Sequence, residues 1–165
     1  MKLEDLVCIS DNVNLDEYIE FREEVKTHME HPEWLGDFAK EDLIELLNRG
    51  SKIWVYYDNN IPVCSMMIIP AREKDIIKFG LSIDCSKTMD YGPMFVNYDY
   101  LGNRLQYQML LIEDNYLKSN NYQYAVSTIH PDNYFSINNF LKDDFKLIDT
   151  KEFKRGIRNI YFKEL

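Results

Sequence analysis

Cysteine is scarce in this chain: Cys8, Cys64 and Cys85 are the only three in 165 residues, with no C-x-x-C spacing. An odd, scattered set suggests neither a disulfide framework nor a zinc knuckle, and it fits a reducing compartment. Glycine is scarce too, and none of the six falls into the phosphate-loop or dinucleotide fingerprints. Basic residues are outnumbered, 19 Lys+Arg against 28 Asp+Glu, for a formal charge of −9. That balance argues against nucleic acid or an anionic membrane as partner, because phosphate binding draws on a basic surface. No apolar run approaches the roughly 18 residues of a membrane span. The start, Met1-Lys2-Leu3-Glu4-Asp5, lacks the basic and apolar stretches of a signal peptide. With no Gly/Ser linker or repeat, the expectation is one soluble, cytoplasmic domain over 1–165.

What is present is a core. At 45% hydrophobic and 14% aromatic, the chain has enough apolar surface to fold. The first helix is expected after Asn14 as N-cap, with Asp16, Glu17 and Glu20 near the positive end of its dipole and Pro32 as its stop. A second is expected over 40–48, ended by Gly50, with a loop at 31–39 between them. The runs 52–57 and 61–69, separated by Asp58-Asn59-Asn60, read as a hairpin. Residues 75–82 have the look of a short helix and 84–90 of a loop. Then follow a strand (93–98), a helix from Leu105, a strand (124–129), a helix (134–141) and two closing strands near 145–149 and 158–162. The sum is a mixed α/β domain with about four helices and both parallel and antiparallel pairing.

Two stretches carry chemistry. In Phe95-Val96-Asn97-Tyr98-Asp99-Tyr100-Leu101-Gly102-Asn103-Arg104-Leu105-Gln106 a strand runs through a glycine turn straight into a helix. Unpaired N–H groups at such a helix start can hold a phosphate, and glycine allows the close approach. One strand later comes His130-Pro131-Asp132-Asn133, trailed by Ser136, Phe140 and Phe145.

The order of elements and these two stretches resemble the GNAT N-acetyltransferase superfamily. Its members read V-x-P-x-Y-R-G-x-G-L-Q, then H-P-x-N-x-x-A-x-x-x-Y-x-x-x-G-F. Val96, Tyr100, Gly102, Leu105 and Gln106 match the first pattern; His130, Pro131, Asn133 and Phe145 match the second. The resemblance covers 52–165 and, in element order alone, the N-terminal helices. It implies a twisted, mostly antiparallel sheet with a splayed parallel strand pair, here strands ending near Tyr98 and Ile129. It implies acetyl-CoA as co-substrate and no metal. The pantetheine arm would lie beside Phe95, Val96 and Asn97, and the pyrophosphate on Leu101, Gly102, Asn103, Arg104 and Leu105. Asn133 would reach the pantetheine amides, or cap the following helix.

Four positions depart from the pattern. Leu101 replaces an arginine, Arg104 a small residue, and Asp144 a glycine. Phe140 stands where many such enzymes carry a tyrosine that protonates the departing thiolate, which leaves His130 and Tyr134 as the nearest substitutes. His130 has a suitable intrinsic range for a base, although a histidine before proline also serves structure. Glu30, Glu33 and Asp37 lie where the family frames the acceptor, and would draw in a cationic one. The expected reaction is acetyl transfer to a primary amine, either a small molecule or a peptide; a non-catalytic acyl-CoA sensor is the alternative. Such domains often pair through terminal strands, so a homodimer is compatible with this reading.

Overall fold

Two asparagines make a two-residue hairpin turn. Asn59 and Asn60 both have positive φ, 48° and 66°, as a two-residue hairpin turn requires. In the computed structural model, which describes residues 1–9 and 12–165, they join β2 (Lys52–Asp58) to β3 (Ile61–Pro70). β2 is flanked on its other side by a short strand absent from the sequence expectation, β1 (Leu6–Ile9). Around this nucleus the chain adds α1 (Asn12–Thr27), α2 (Lys40–Asn48), α3 (Glu73–Phe79), β4 (Thr88–Tyr91), β5 (Phe95–Val96) and α4 (Leu105–Ser119). It closes with β6 (Tyr124–Ile129), α5 (Tyr134–Lys142), β7 (Lys146–Phe153) and β8 (Gly156–Glu164).

Three expectations need correction. α1 starts at Asn12, so Asn14 lies inside its first turn and the cap position falls outside the described residues. It also ends at Thr27, where the Thr27 hydroxyl donates back to Glu24 O; Pro32 instead opens a short 3-10 turn over Pro32–Trp34. The third bears on function: β4 covers residues 88–91 and so takes in the end of the stretch 84–90 read as loop, whereas only two residues of 93–98 are strand.

The sheet runs β1-β2-β3-β4-β6-β8-β7, with β5 attached to β3. Among the described residues every pairing is antiparallel except β4 with β6. Alternation along the strands sends side chains to two faces. On one, Trp54, Met66, Ile68, Met89 and Tyr91 pack against Met109, Leu110, Ile112 and Leu117 of α4 and Phe140 of α5. On the other, Ile53, Val55 and Met67 meet Leu15, Tyr18 and Phe21 of α1 and Leu43 of α2, while Val126 and Ile160 meet Phe79 of α3. Fully burying one such side chain is worth about 1.5–3 kcal/mol, so the two apolar faces hold the layers together.

The α4 face also contains buried charge. Lys163 of β8 pairs with Asp114 and with Asp143, the latter at 2.9 Å, and Tyr91 Oη donates to Asp114 Oδ1 at 2.6 Å. The neighbouring Glu113 is fully buried, and among the described residues neither of its oxygens has a hydrogen-bond partner. Burial, then the nearby Asp114, Asp143 and Asp90, hold its carboxyl well above the usual range.

Candidate active site

The parallel pair separates abruptly. Thr88, Met89 and Asp90 of β4 align with Tyr124, Ala125 and Val126 of β6, and Ser127 Oγ donates to the Tyr91 carbonyl at 2.9 Å. Beyond that point the chain turns at 92–94, and β5 pairs with β3 through Cys64–Val96 and Ser65–Phe95. A V-shaped opening is left between β5 and the last residues of β6. Asn97 N–H donates to Val63 O at 2.8 Å, so the ladder's alternation directs the backbone of Phe95 and Asn97 at β3 and that of Val96 at the opening. The Phe95 ring is buried against Tyr18 and Phe21. The Asn97 side chain is occupied in the turn, donating to Pro62 O and accepting from Asp99 N–H. Of the three residues expected beside pantetheine, Val96 alone offers its backbone to the opening.

The following turn exposes a helix start. A 3-10 turn at Tyr98–Tyr100 leads to Gly102, φ +83°, where an added Cβ would meet no protein atom within 4 Å. Asn103 Nδ2 donates to Tyr100 O at 3.0 Å, and Gln108 Nε2 donates to Asn103 O at 3.2 Å, fixing the loop on α4. Arg104, at the N-cap, has φ 57°, the left-handed region where the related pattern carries a small residue. Its side chain does not cap the helix, and the first turn of α4 contains no acid. The N–H groups of a first turn have no partners within their helix, so this terminus presents donors and the positive dipole end to the loop. Gln106 ties it to α5, donating to Ser136 Oγ at 2.9 Å and accepting from Asn139 Nδ2 at 2.7 Å. Leu101 is exposed, and Leu105 is partly buried against the α4-side core.

Across the opening, Asn133 caps α5, its Oδ1 accepting from Ser136 N–H at 3.2 Å. Tyr134 is 65% exposed, and Phe140 is buried against Phe145. His130 accepts the Asp132 N–H at Nδ1, 3.2 Å. A backbone N–H can only donate, so neutral His130 carries its proton on Nε2 and is a donor there. Its ring stacks on Trp34 at 5.3 Å, and Trp34 stacks on His31 at 4.2 Å. The histidines are remote in sequence, yet two of them meet on one indole.

Trp34 belongs to the α1–α2 segment, which is fixed at several points. Arg155 donates to Leu35 O at 2.8 Å, Arg158 donates to Glu33 O at 3.4 Å, and Arg22 donates to Phe38 O at 2.9 Å. His28 stacks on Tyr98 at 5.4 Å. A Cβ built on Gly36 would lie 2.6 Å from Pro93 Cγ, so glycine lets the segment approach the strand break. Glu33 is exposed beside His31, and Asp37 bonds Lys26 at 3.1 Å. Each carboxyl is held below its ordinary range, Glu33 mainly by its own backbone N–H and Asp37 mainly by Lys26.

One feature escaped sequence reading. Asp90 points from β4 to the face opposite α4 and lines a cleft of about 390 Å³ between α2, α3 and the ends of β3 and β4. It lay in a stretch taken for loop, so its register was invisible.

No family model matches the sequence, and no curated protein does. Solved structures do match. The GNAT-family acetyltransferase of Streptococcus pneumoniae superposes with a TM-score of 0.70 at 13% identity, covering 97% of this chain and 99% of the other. The PaiA N-acetyltransferase of Thermoplasma acidophilum, solved with coenzyme A, gives 0.70 at 12%, with 97% and 99% covered. The ribosomal-protein-alanine N-acetyltransferase of Brucella melitensis gives 0.70 at 13%, with 96% and 99% covered.

The chain has the GNAT fold. The expected sheet, with one splayed parallel pair, is present. Among the described residues there are five α-helices, against about four expected, and the strand parallel to β6 is β4, not the stretch ending near Tyr98.

Proposed function

We propose that this protein is an N-acetyltransferase that moves an acetyl group from acetyl-CoA to a primary amine by direct attack. The observation that carries the reading is the departure of β5 from β6 beside a helix start free of acid and side-chain caps. The site fits the co-substrate: open space over Gly102 admits a phosphate, the α4 terminus supplies N–H donors, and Val96 supplies backbone groups for an amide chain. Bound there, acetyl-CoA supplies an activated acyl group on a sulfur leaving group.

The chain's own residues have distinct tasks in this reading. Gly102, Asn103 and Leu105 offer backbone to the phosphates, and Arg104 adds a guanidinium. Val96 N–H polarises the acyl carbonyl. His130 donates a hydrogen bond through Nε2 to the departing sulfur, which is tolerable as a thiolate because thiols ionise near 8.5. Tyr134, exposed at the start of α5, is the second donor on that side. The α1–α2 segment frames a cationic acceptor. Local donors also reconcile a charge of −9 with a phosphate-bearing ligand.

Calorimetric titration with acetyl-CoA and thiol release across a panel of amines test this. Gly102→Asn keeps a residue tolerant of positive φ while filling the space above the loop. The variant is expected to stay folded and lose acetyl-CoA binding by at least tenfold; unchanged binding would refute the placement. Phe140, buried and without a proton to give, supports a second reading, a CoA-binding domain without turnover. Tight binding with no thiol release on any amine would select it.

A further inference from the structure

We propose that Arg155 and Arg158 hold a carboxylate of the acceptor, which makes the acceptor an amino acid: a primary amine and an acid on one small molecule. The proposal rests on the acetyl-CoA reading above and narrows its acceptor.

Ile129 and Asn159 are the last aligned pair of β6 and β8, so Arg158 stands one step beyond it, level with His130. Alternation along β8 sends Tyr161 to the α4 face and Ile160 to the other, so Arg158 shares the face of Ile160. Arg155, in the turn between β7 and β8, reaches over the same face to the α1–α2 segment. It donates to Leu35 O at 2.8 Å and to Glu33 O at 3.4 Å, and Arg158 donates to that same Glu33 O at 3.4 Å. The residues between and beside these carbonyls cover the opening, Trp34 on His130 and Gly36 against Pro93. Two guanidiniums therefore converge on one carbonyl at the edge of the opening, on the side of the sheet away from the α4 terminus.

Neither charge has a counter-ion. Arg158 is only 5% exposed, yet among the described residues its bonds, like those of Arg155, all end on backbone carbonyls, the shortest on Ile157 O at 2.7 Å. A carbonyl satisfies an N–H without neutralising a charge, and a buried charge left unpaired is costly. Burial, then the neighbouring Arg155, hold the Arg158 guanidinium below the ordinary arginine range. The carboxylates at hand are turned elsewhere. Glu33 bonds His31 at 3.1 Å, Asp37 lies 3.1 Å from Lys26 and 3.3 Å from Arg22, and Glu152, opposite Ile157, stands on the other face of the strand. The missing partner is an anion, and a ligand can bring one.

The shape of the pair suits a carboxylate. A guanidinium has five N–H donors in a planar fork, and the bonds above occupy two on each arginine. Arg155 is exposed and offers its fork to a ligand, while Arg158 supplies a fixed charge behind it. An acid held there leaves the amine of the same molecule free to enter the opening below Trp34. The acid takes no part in the bond changes. The amine nitrogen forms the C–N bond to the acetyl carbon, the C–S bond breaks with its electron pair on sulfur, and the proton shed by nitrogen reaches that sulfur by way of water.

The test uses acceptors in matched pairs that differ in the acid: alanine and alaninamide, 4-aminobutanoate and 1-aminobutane, lysine and 1,5-diaminopentane. Wild type, Arg155→Gln, Arg155→Lys and Arg158→Gln are each titrated with acetyl-CoA by calorimetry, then assayed by thiol release. Wild type is expected to prefer the acid in at least one pair, by about tenfold or more in kcat/KM. Arg155→Gln should bind acetyl-CoA within about twofold of wild type and raise KM for the acid at least fivefold more than for its partner. Arg155→Lys, a point charge without a fork, should recover part of the preference. Arg158→Gln should act in the same direction as Arg155→Gln. Residues that merely clamp the segment would slow both members of a pair alike, and that result would overturn the proposal. So would a wild type that favours the acid in no pair, or weakened acetyl-CoA binding in Arg155→Gln, which would assign the arginines to the co-substrate. Should Arg158→Gln fail to fold, Arg155→Gln, at an exposed position, decides alone. Wild-type protein that binds acetyl-CoA yet acetylates none of the six overturns this proposal alone, whereas failure to bind acetyl-CoA overturns both readings.

Discussion

The indole of Trp34 lies on the imidazole of His130, centroids 5.3 Å apart and planes within 18°. The contact joins a segment between two N-terminal helices to the end of a strand nearly a hundred residues later. It decides where the roof over the opening sits. The segment's other anchors, Arg155 on Leu35 O, Arg158 on Glu33 O, Arg22 on Phe38 O and Gly36 against Pro93, act on backbone, while this stack is a ring contact with the residue that follows β6.

Replacing that indole therefore tests the roof. Trp34→Ala is expected to cost about 1 kcal/mol of stability, the scale of an aromatic pair beyond its burial. Because the Gly102 loop is untouched, the proposed function has acetyl-CoA affinity staying within twofold while KM for the amine rises at least fivefold. Calorimetry and steady-state kinetics read the two effects separately. Equal weakening of both ligands would show that the stack supports the whole site.

Arg104 sets conformational cost against charge. Its φ of 57° is costly for any residue with a Cβ, about 1–2 kcal/mol, part of which glycine's greater freedom in the unfolded chain cancels. Arg104→Gly should leave the melting temperature unchanged or higher. The same variant should weaken acetyl-CoA about tenfold, since a hydrogen bond to a charged group is worth roughly 1.5–3 kcal/mol. Unchanged affinity would show that the guanidinium points into solvent.

Glu113 makes stability depend on pH. Its folded carboxyl titrates above its unfolded value, so it favours the fold most below about 4.5 and loses that contribution as pH rises towards the folded value. Each unit of upward shift corresponds to about 1.4 kcal/mol. Glu113→Met fills a similar volume without a charge to desolvate. Urea unfolding should find the variant more stable than wild type at pH 8, with the gap narrowing towards pH 5. A constant gap would show that Glu113 is not the titrating group.

From Gly50 onward, β4 apart, the order of elements was legible because turn chemistry and apolar period agree there. Asn59-Asn60 announces its hairpin, and the helix after Gly102 shows its buried side in Met109, Leu110, Ile112 and Leu117. β1 was not legible: four residues with Val7 and Cys8 exposed carry no alternation strong enough to mark an edge strand. β4 was lost for a more instructive reason. Thr88-Met89-Asp90-Tyr91 places a carboxylate mid-strand, which reads as loop, and the same substitution of charge for an apolar residue lines the cleft. The glycine turn before α4 could be read because a positive φ leaves glycine as its mark. The meeting of His31, Trp34 and His130 could not, because tertiary packing leaves no spacing in the sequence.

The turn at 92–94 also has a consequence for how this sheet avoids its own kind. By sending β5 to β3, it creates a strand edge in the middle of the sheet, where β6 keeps β8 on one side and faces the opening on the other. Bare edges at a sheet's rim invite other chains and are commonly defended with charge or proline. This one is defended by cover: the α1–α2 segment lies over it, seated by the stack of Trp34 on His130 and by Gly36 against Pro93.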